Sequence, residues 1–231
     1  MLGLSTEDTI PRGAARPRRR REHPSPAAWR RRGPAASLSG VTTPIVDLRI
    51  DYPAWVAEVV AWDRRYPTDQ EKMRLAITLA RENVARETGG PFGAAIFERD
   101  TGRLVAVGMN SVVRLHNCTL HGEMVAFMMA QRRLGSFTLG AEGMPAHELV
   151  TSCEPCAMCL GATLWSGVKR MVCGAAREDA TRLHFEEGPV FEASYRYLEE
   201  RGITIVHGVC REEARAVIEQ YRAASGKIYN G

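Results

Sequence analysis

Apolar positions along this chain change period several times, and each change marks an element. Pro53–Trp62 places Trp55, Val56, Val59 and Val60 at helical spacing and predicts a short amphipathic helix. Thr68-Asp69-Gln70-Glu71 is a capping box, with Thr68 as N-cap and Glu71 three residues on. It opens a helix through about Arg86, with Met73, Leu75, Ala76, Leu79, Ala80 and Val84 at core spacing. Gly89-Gly90-Pro91 stops that helix. Gly93–Glu98 and Leu104–Gly108 are β-rich runs joined by Asp100-Thr101-Gly102, a hairpin signal. A helix follows from about Leu120 to Leu134, closed by Gly135. Then come strand Glu148–Thr151, helix Pro155–Trp165, strand Lys169–Cys173, helix Phe191–Glu200, strand Ile203–Val206 and helix Arg211–Ala224. A hairpin followed by repeated helix-strand units predicts an α/β sandwich whose central sheet carries helices on both faces.

Composition changes this picture little, and charge changes it more. The 231 residues are 45% hydrophobic and 25% charged, ordinary for a globular chain, which excludes a mostly disordered or fibrous protein. The longest apolar runs, such as Met124–Ala130, fall far short of the ~20 residues of a membrane span. A net charge of +4 suggests nucleic acid at first sight. Residues 1–45, however, hold nine arginines, no lysine and three acids, so the other 186 residues carry 22 basic and 24 acidic groups. The basicity belongs to an N-terminal Arg/Pro-rich segment expected to be disordered, and residues 46–231 form a slightly acidic domain. No apolar stretch follows the arginines, so a secretory signal is not expected and the protein is read as cytoplasmic.

The chemistry concentrates around cysteine. Of six cysteines, three stand in Thr151-Ser152-Cys153-Glu154-Pro155-Cys156-Ala157-Met158-Cys159, where a strand passes into a helix. Cys156 and Cys159 lie one helical turn apart, so both sulfurs can face one point, and a helix N-terminus favours their thiolate forms. Upstream, His121-Gly122-Glu123 opens another helix and offers an imidazole ligand, with a carboxylate two residues on. His121, Cys156 and Cys159 make three protein ligands for Zn²⁺, the number that leaves a catalytic zinc a fourth position for water. Two alternatives stay open on spacing: Cys153 as a fourth ligand closing a structural site, and Cys153/Cys156 as a redox pair. The second leaves His121 and Glu123 without a role.

His-x-Glu followed by Pro-Cys-x-x-Cys is the signature of zinc deaminases, and from about Thr68 onward the chain resembles the cytidine-deaminase-like superfamily. The resemblance implies a three-layer α/β/α sandwich with a mixed five-stranded sheet, one zinc per chain on His121, Cys156 and Cys159, and hydrolytic removal of an exocyclic amine. On that resemblance the zinc would lower the pKa of water for attack on the amidine-like carbon, with Glu123 as the proton shuttle.

Within the superfamily the motifs resemble guanine deaminases most. Gly90-Pro91-Phe92-Gly93 is similar to their strand entry, with Phe92 stacking on a base. Asn110, eleven residues before His121, stands where guanine and fungal cytosine deaminases carry a base-reading Asn. Phe185-Glu186-Glu187 resembles the segment that supplies a second acid, Glu187 being the better match and Glu186 the fallback. Trp165 is a further candidate for substrate contact. The terminal Gly226–Gly231 resembles a segment that guanine deaminases exchange between subunits, which implies a homodimer with Tyr229 capping the partner's site. One departure stands out: Gly122 replaces the Ala usual in guanine deaminases and matches fungal cytosine deaminase, where it would reshape the pocket floor.

The sequence therefore predicts a free-base deaminase, guanine first. Cytosine, an aminotriazine or a pterin, an adenosine of transfer RNA, and a non-enzymatic zinc module are the alternatives. The acidic domain speaks against nucleic acid, because phosphate binding needs clustered basic side chains.

Overall fold

The structure is a computed structural model and describes residues 48–229. The Arg/Pro-rich segment 1–45 and the last two residues, 230–231, lie outside them. Twelve elements follow in order: α1 (Val56–Val59), α2 (Asp69–Ala85), β1 (Gly93–Glu98), β2 (Leu104–Met109), α3 (Gly122–Leu134), β3 (His147–Cys153), α4 (Ala157–Ser166), β4 (Arg170–Ala175), α5 (Arg177–Thr181), α6 (Glu192–Glu199), β5 (Thr204–Val206) and α7 (Arg211–Ala223).

The strands form one mixed sheet in the order β2-β1-β3-β4-β5. The hairpin β1/β2 and the pair β1/β3 are antiparallel, whereas β3/β4 and β4/β5 are parallel. Successive side chains on a strand point to opposite faces, and both faces here are covered. Ala95, Phe97, Val150 and Val172 pack with α2 and α7 residues such as Leu79 and Val217. Ala94, Ile96, Leu149 and Met171 pack with α3 and α4 residues such as Phe127 and Leu160. Double coverage explains why β1, β2 and β3 are buried along their whole length, and why β1 and β2 read as nearly continuous apolar runs rather than alternating ones. The three-layer sandwich and its mixed five-stranded sheet are as the sequence led one to expect.

The Thr68 capping box is present in both directions: Thr68 Oγ1 accepts from Glu71 N at 3.2 Å, and Glu71 Oε2 accepts from Thr68 N at 3.3 Å. Gly135 closes α3 in the left-handed conformation that favours glycine, at φ 64°. Three expectations need correction. The helix expected over Pro53–Trp62 is one turn long, because Val60 turns extended. The helix expected from Pro155 starts at Ala157, because Cys156 is extended, at ψ 171°, and serves as its N-cap. Helix α5 was not anticipated. Its sequence Arg-Glu-Asp-Ala-Thr has no apolar stripe, and the turn is held by Asp179 Oδ2 accepting from Ala176 N at 3.1 Å.

Candidate active site

Two helix N-termini meet at the C-terminal end of β3. His121 is the N-cap of α3 and Cys156 the N-cap of α4, both in extended conformation. Each helix therefore starts with its unpaired N–H groups pointing at one spot, which favours anionic sulfur there. The ligating atoms of His121, Cys156 and Cys159 lie within 4.8 Å of one another, and Nδ1 of His121 is 3.5 Å from Cys156 Sγ. The hydrogen bond from Cys159 outweighs desolvation and, with that of His121, brings the Cys156 thiol down to about 4. Cys159, donor in that bond and buried, is pushed well above the ordinary thiol value. Desolvation opposes charge on His121, but its bond to Cys156 and the neighbouring acids raise it overall. A thiolate, a thiol and an imidazole converging in a buried spot are a donor set that fits Zn²⁺, whose binding displaces the remaining proton.

Glu123 sits in the first turn of α3 and is buried. Its Oε1 accepts from Thr151 Oγ1 at 3.2 Å, and burial raises its carboxyl above the usual range. Cys153, next to the cluster, turns elsewhere: its Sγ donates to Ala176 O at 3.7 Å, and burial pushes its thiol well up.

These groups open onto a cavity of about 270 Å³ also lined by Phe92, Asn110, Cys118, Glu154, Met158, Phe185, Glu187 and Tyr229. That size suits a one- or two-ring heterocycle. Asn110 is fully buried and rigidly held. Its N donates to Phe92 O at 2.9 Å, its O accepts from Asn83 Nδ2 at 2.9 Å, and its Oδ1 accepts from Val112 N at 3.3 Å. Its Nδ2 is buried with no partner among the described residues. A buried amide donor without a partner is costly unless a ligand supplies the acceptor.

An aromatic wall faces it. Phe92 meets Phe185 edge-on at 5.1 Å, and Phe185 meets Tyr229 at 5.2 Å. Tyr229 of the same chain lies so close to Gly90 that a Cβ there would come 2.0 Å from its Oη. That Oη is also buried without a partner among the described residues.

Glu187 is delivered through its backbone, since Ala157 N, the first amide of α4, donates to Glu187 O at 2.8 Å. Desolvation, followed by the charges of Cys156 and Glu123, pushes its carboxyl up to about 8. Glu186 also lines the cavity but is exposed and accepts from Gly188 N at 2.8 Å, whereas Glu187 is partly buried.

Two sequence candidates lie elsewhere. Trp165 is 78% exposed and does not line the cavity. Six residues beyond Cys159 it stands about 240° around α4, away from the metal side. Gly122 is buried behind the cavity rather than on its surface. A Cβ there would meet Phe92 O at 3.2 Å, so its influence on the pocket runs through the position of Phe92. Sequence reasoning missed Thr151, the partner of Glu123, and Cys118 at the cavity lining. Neither left a distinct signal, since Thr151 stands in a strand that also carries His147, Glu148 and Ser152.

Residues 67–175 match the family described as cytidine and deoxycytidylate deaminase zinc-binding region. Guanine deaminase of Bacillus subtilis is 37% identical over 131 residues, 57% of this chain and 80% of that protein. A solved guanine deaminase from Nitrosomonas europaea is 41% identical with a TM-score of 0.73, over 77% of this chain and 97% of that one. A probable cytosine deaminase of Schizosaccharomyces pombe is 32% identical over 121 residues, 52% of this chain and 68% of that protein.

Proposed function

Because this chain belongs to the zinc-binding deaminase family of cytidine and deoxycytidylate deaminases, we propose that it hydrolyses guanine to xanthine and ammonia. The observation that carries the reading is the unpartnered Nδ2 of Asn110, a residue lining the cavity together with Phe92, His121 and Cys156. A planar base with a ring-edge acceptor satisfies that donor while stacking on the aromatic wall.

Zinc held by His121, Cys156 and Cys159 supplies a Lewis acid and a water of lowered pKa. The protein's own residues do the rest. Phe92 and Phe185 fix the ring plane, and Asn110 fixes its rotation within that plane. Glu123, braced by Thr151, takes a proton from water and returns it to the departing nitrogen. One C–O bond forms at the amidine carbon, one C–N bond breaks, and the amine leaves as ammonia. Glu187, whose carboxyl is raised by burial, lines the cavity as a second acid able to exchange a proton with a ring nitrogen. Tyr229 covers the mouth and excludes bulk water.

Gly122 and the cytosine deaminase relative favour cytosine as a second reading. Ammonia release from guanine, cytosine, adenine, their nucleosides, ammeline and aminopterins, with a transfer-RNA control, separates the two. Guanine is expected to lead by at least about 100-fold in kcat/KM, the margin expected when a site's polar groups are left unpaired by the wrong ring. Preference for cytosine, or activity on polynucleotide alone, overturns the guanine reading.

The active form is further proposed to be a homodimer in which the Tyr229 segments change places. Supporting this are α3 and α4, where the partly buried Met124 and Met128 and the exposed Trp165 leave apolar side chains at the surface. Co-expressing a Tyr229→Ala chain with a Glu123→Gln chain checks it. With exchange, the hybrid has one site holding both an intact Glu123 and an intact Tyr229, so activity exceeds that of either homodimer several-fold. No gain in a verified hybrid refutes the exchange.

A further inference from the structure

Residues 176–190 bring Phe185 and Glu187 to the cavity, yet this segment contains one five-residue helix and no strand. It depends on side-chain anchors. Asp179 supplies one, accepting from Ala176 N at 3.1 Å and from Arg211 Nε at 3.2 Å. The bond from Ala157 N to Glu187 O supplies another.

The third is Glu154, which lies between Cys153 and Pro155 in the metal-ligand turn. Its own N donates to Ala175 O at 2.9 Å, continuing the β3/β4 pairing and fixing its backbone to the sheet. Its Oε1 meets Nδ1 of His207 at 2.6 Å, and its Oε2 accepts from Arg177 N, the first amide of α5, at 3.2 Å. The guanidinium of Arg177 in turn donates to Val190 O, closing the far end of the segment onto its start. His207 is held from its other side, its ring meeting Tyr195 of α6 edge-on at 5.2 Å. Glu154 lines the cavity. With both oxygens engaged, neither is offered to a substrate.

We propose that Glu154 is a positioning residue: bridging His207 and the amide of Arg177, it fixes the 176–190 segment, and thereby Phe185 and Glu187, over the metal-ligand turn. The inference deepens the deaminase reading and rests on it for the role of the two delivered groups. The bridge makes a distinctive demand, namely two polar atoms at one side-chain tip, one of them accepting from a backbone amide. Glutamine meets that demand, with its carbonyl oxygen toward Arg177 N and its amide toward the His207 ring. Alanine does not.

The test compares Glu154→Ala and Glu154→Gln in zinc-loaded full-length protein. The alanine variant is expected to keep one zinc per chain and to lose about 100-fold in kcat/KM on guanine, the scale set by misplacing reacting groups by an ångström. The glutamine variant is expected to recover to within about threefold of the parent, on the same reasoning. Hydrogen exchange of the amides over 177–188 reads the same event without turnover and is expected to accelerate at least about tenfold in the alanine variant only, as a local opening. Parental exchange in Glu154→Ala, zinc loss, or failure of the glutamine rescue overturns the proposal. If the parent protein leaves guanine untouched, the guanine reading fails while the exchange comparison still decides the role of Glu154.

Discussion

Replacing Glu123 by glutamine is expected to remove at least about a thousandfold of turnover, since general acid–base catalysis contributes 10² to 10⁴ and here one group serves both directions. The substitution is chosen to change little else. Glutamine has the same length, and its amide oxygen still accepts from Thr151 Oγ1, the 3.2 Å contact that braces the carboxylate. It also removes a charge from a fully buried position where burial already raises the carboxyl, so folding should be unharmed. What it cannot do is take a proton from water and give it back within one turnover. Zinc measured by atomic absorption should stay at one per chain, because the ligand atoms of His121, Cys156 and Cys159 form their cluster without Glu123. Near-parental activity would remove Glu123 from the proton path, whereas lost zinc would make it a contributor to the metal site.

Much of this arrangement was legible because the residues carrying it obey local rules. The Thr68–Glu71 capping box, the left-handed Gly135 and the hairpin Asp100-Thr101-Gly102 are each decided within four residues, and each stands where the sequence puts it. The metal cluster was legible for a related reason. Cysteines one turn apart at a helix start are already half a site, and His-x-Glu at another helix start completes it. Other features depend on contacts distant in sequence. Helix α5 has no apolar stripe and exists because Asp179 and Arg211, 32 residues apart, meet beneath it. Glu187 was preferred over Glu186 by resemblance, and the difference in burial that favours it, Glu187 partly buried and Glu186 exposed, depends on how the 176–190 segment packs and not on local sequence. Trp165 was misread because an aromatic near a motif looks like a pocket wall, whereas its angle around α4 sends it outward. The Glu154–His207 bridge spans 53 residues, and neither partner stands out in the sequence.

The second large effect separates a catalytic zinc from a structural one. Cys159→Ala is expected to drop zinc well below one per chain and turnover by at least about a thousandfold, since the activated water is lost with the metal. Cys153→Ala is expected to keep both within a few-fold of the parent. The geometry makes the contrast sharp although the two cysteines are only six residues apart. Cys159 Sγ belongs to the cluster whose ligand atoms lie within 4.8 Å of one another, and its hydrogen bond, with that of His121, brings Cys156 down to about 4. Cys153 is buried at the cavity edge but turns its sulfur away from the cluster, its thiol donating to Ala176 O and its acidity suppressed by desolvation. A buried, protonated thiol is a small apolar side chain, so its truncation costs packing rather than metal. If Cys153→Ala released zinc as readily as Cys159→Ala, the metal would have four protein ligands and no position for water. A closed site of that kind could not perform the hydrolysis, and the zinc would have to be read as structural.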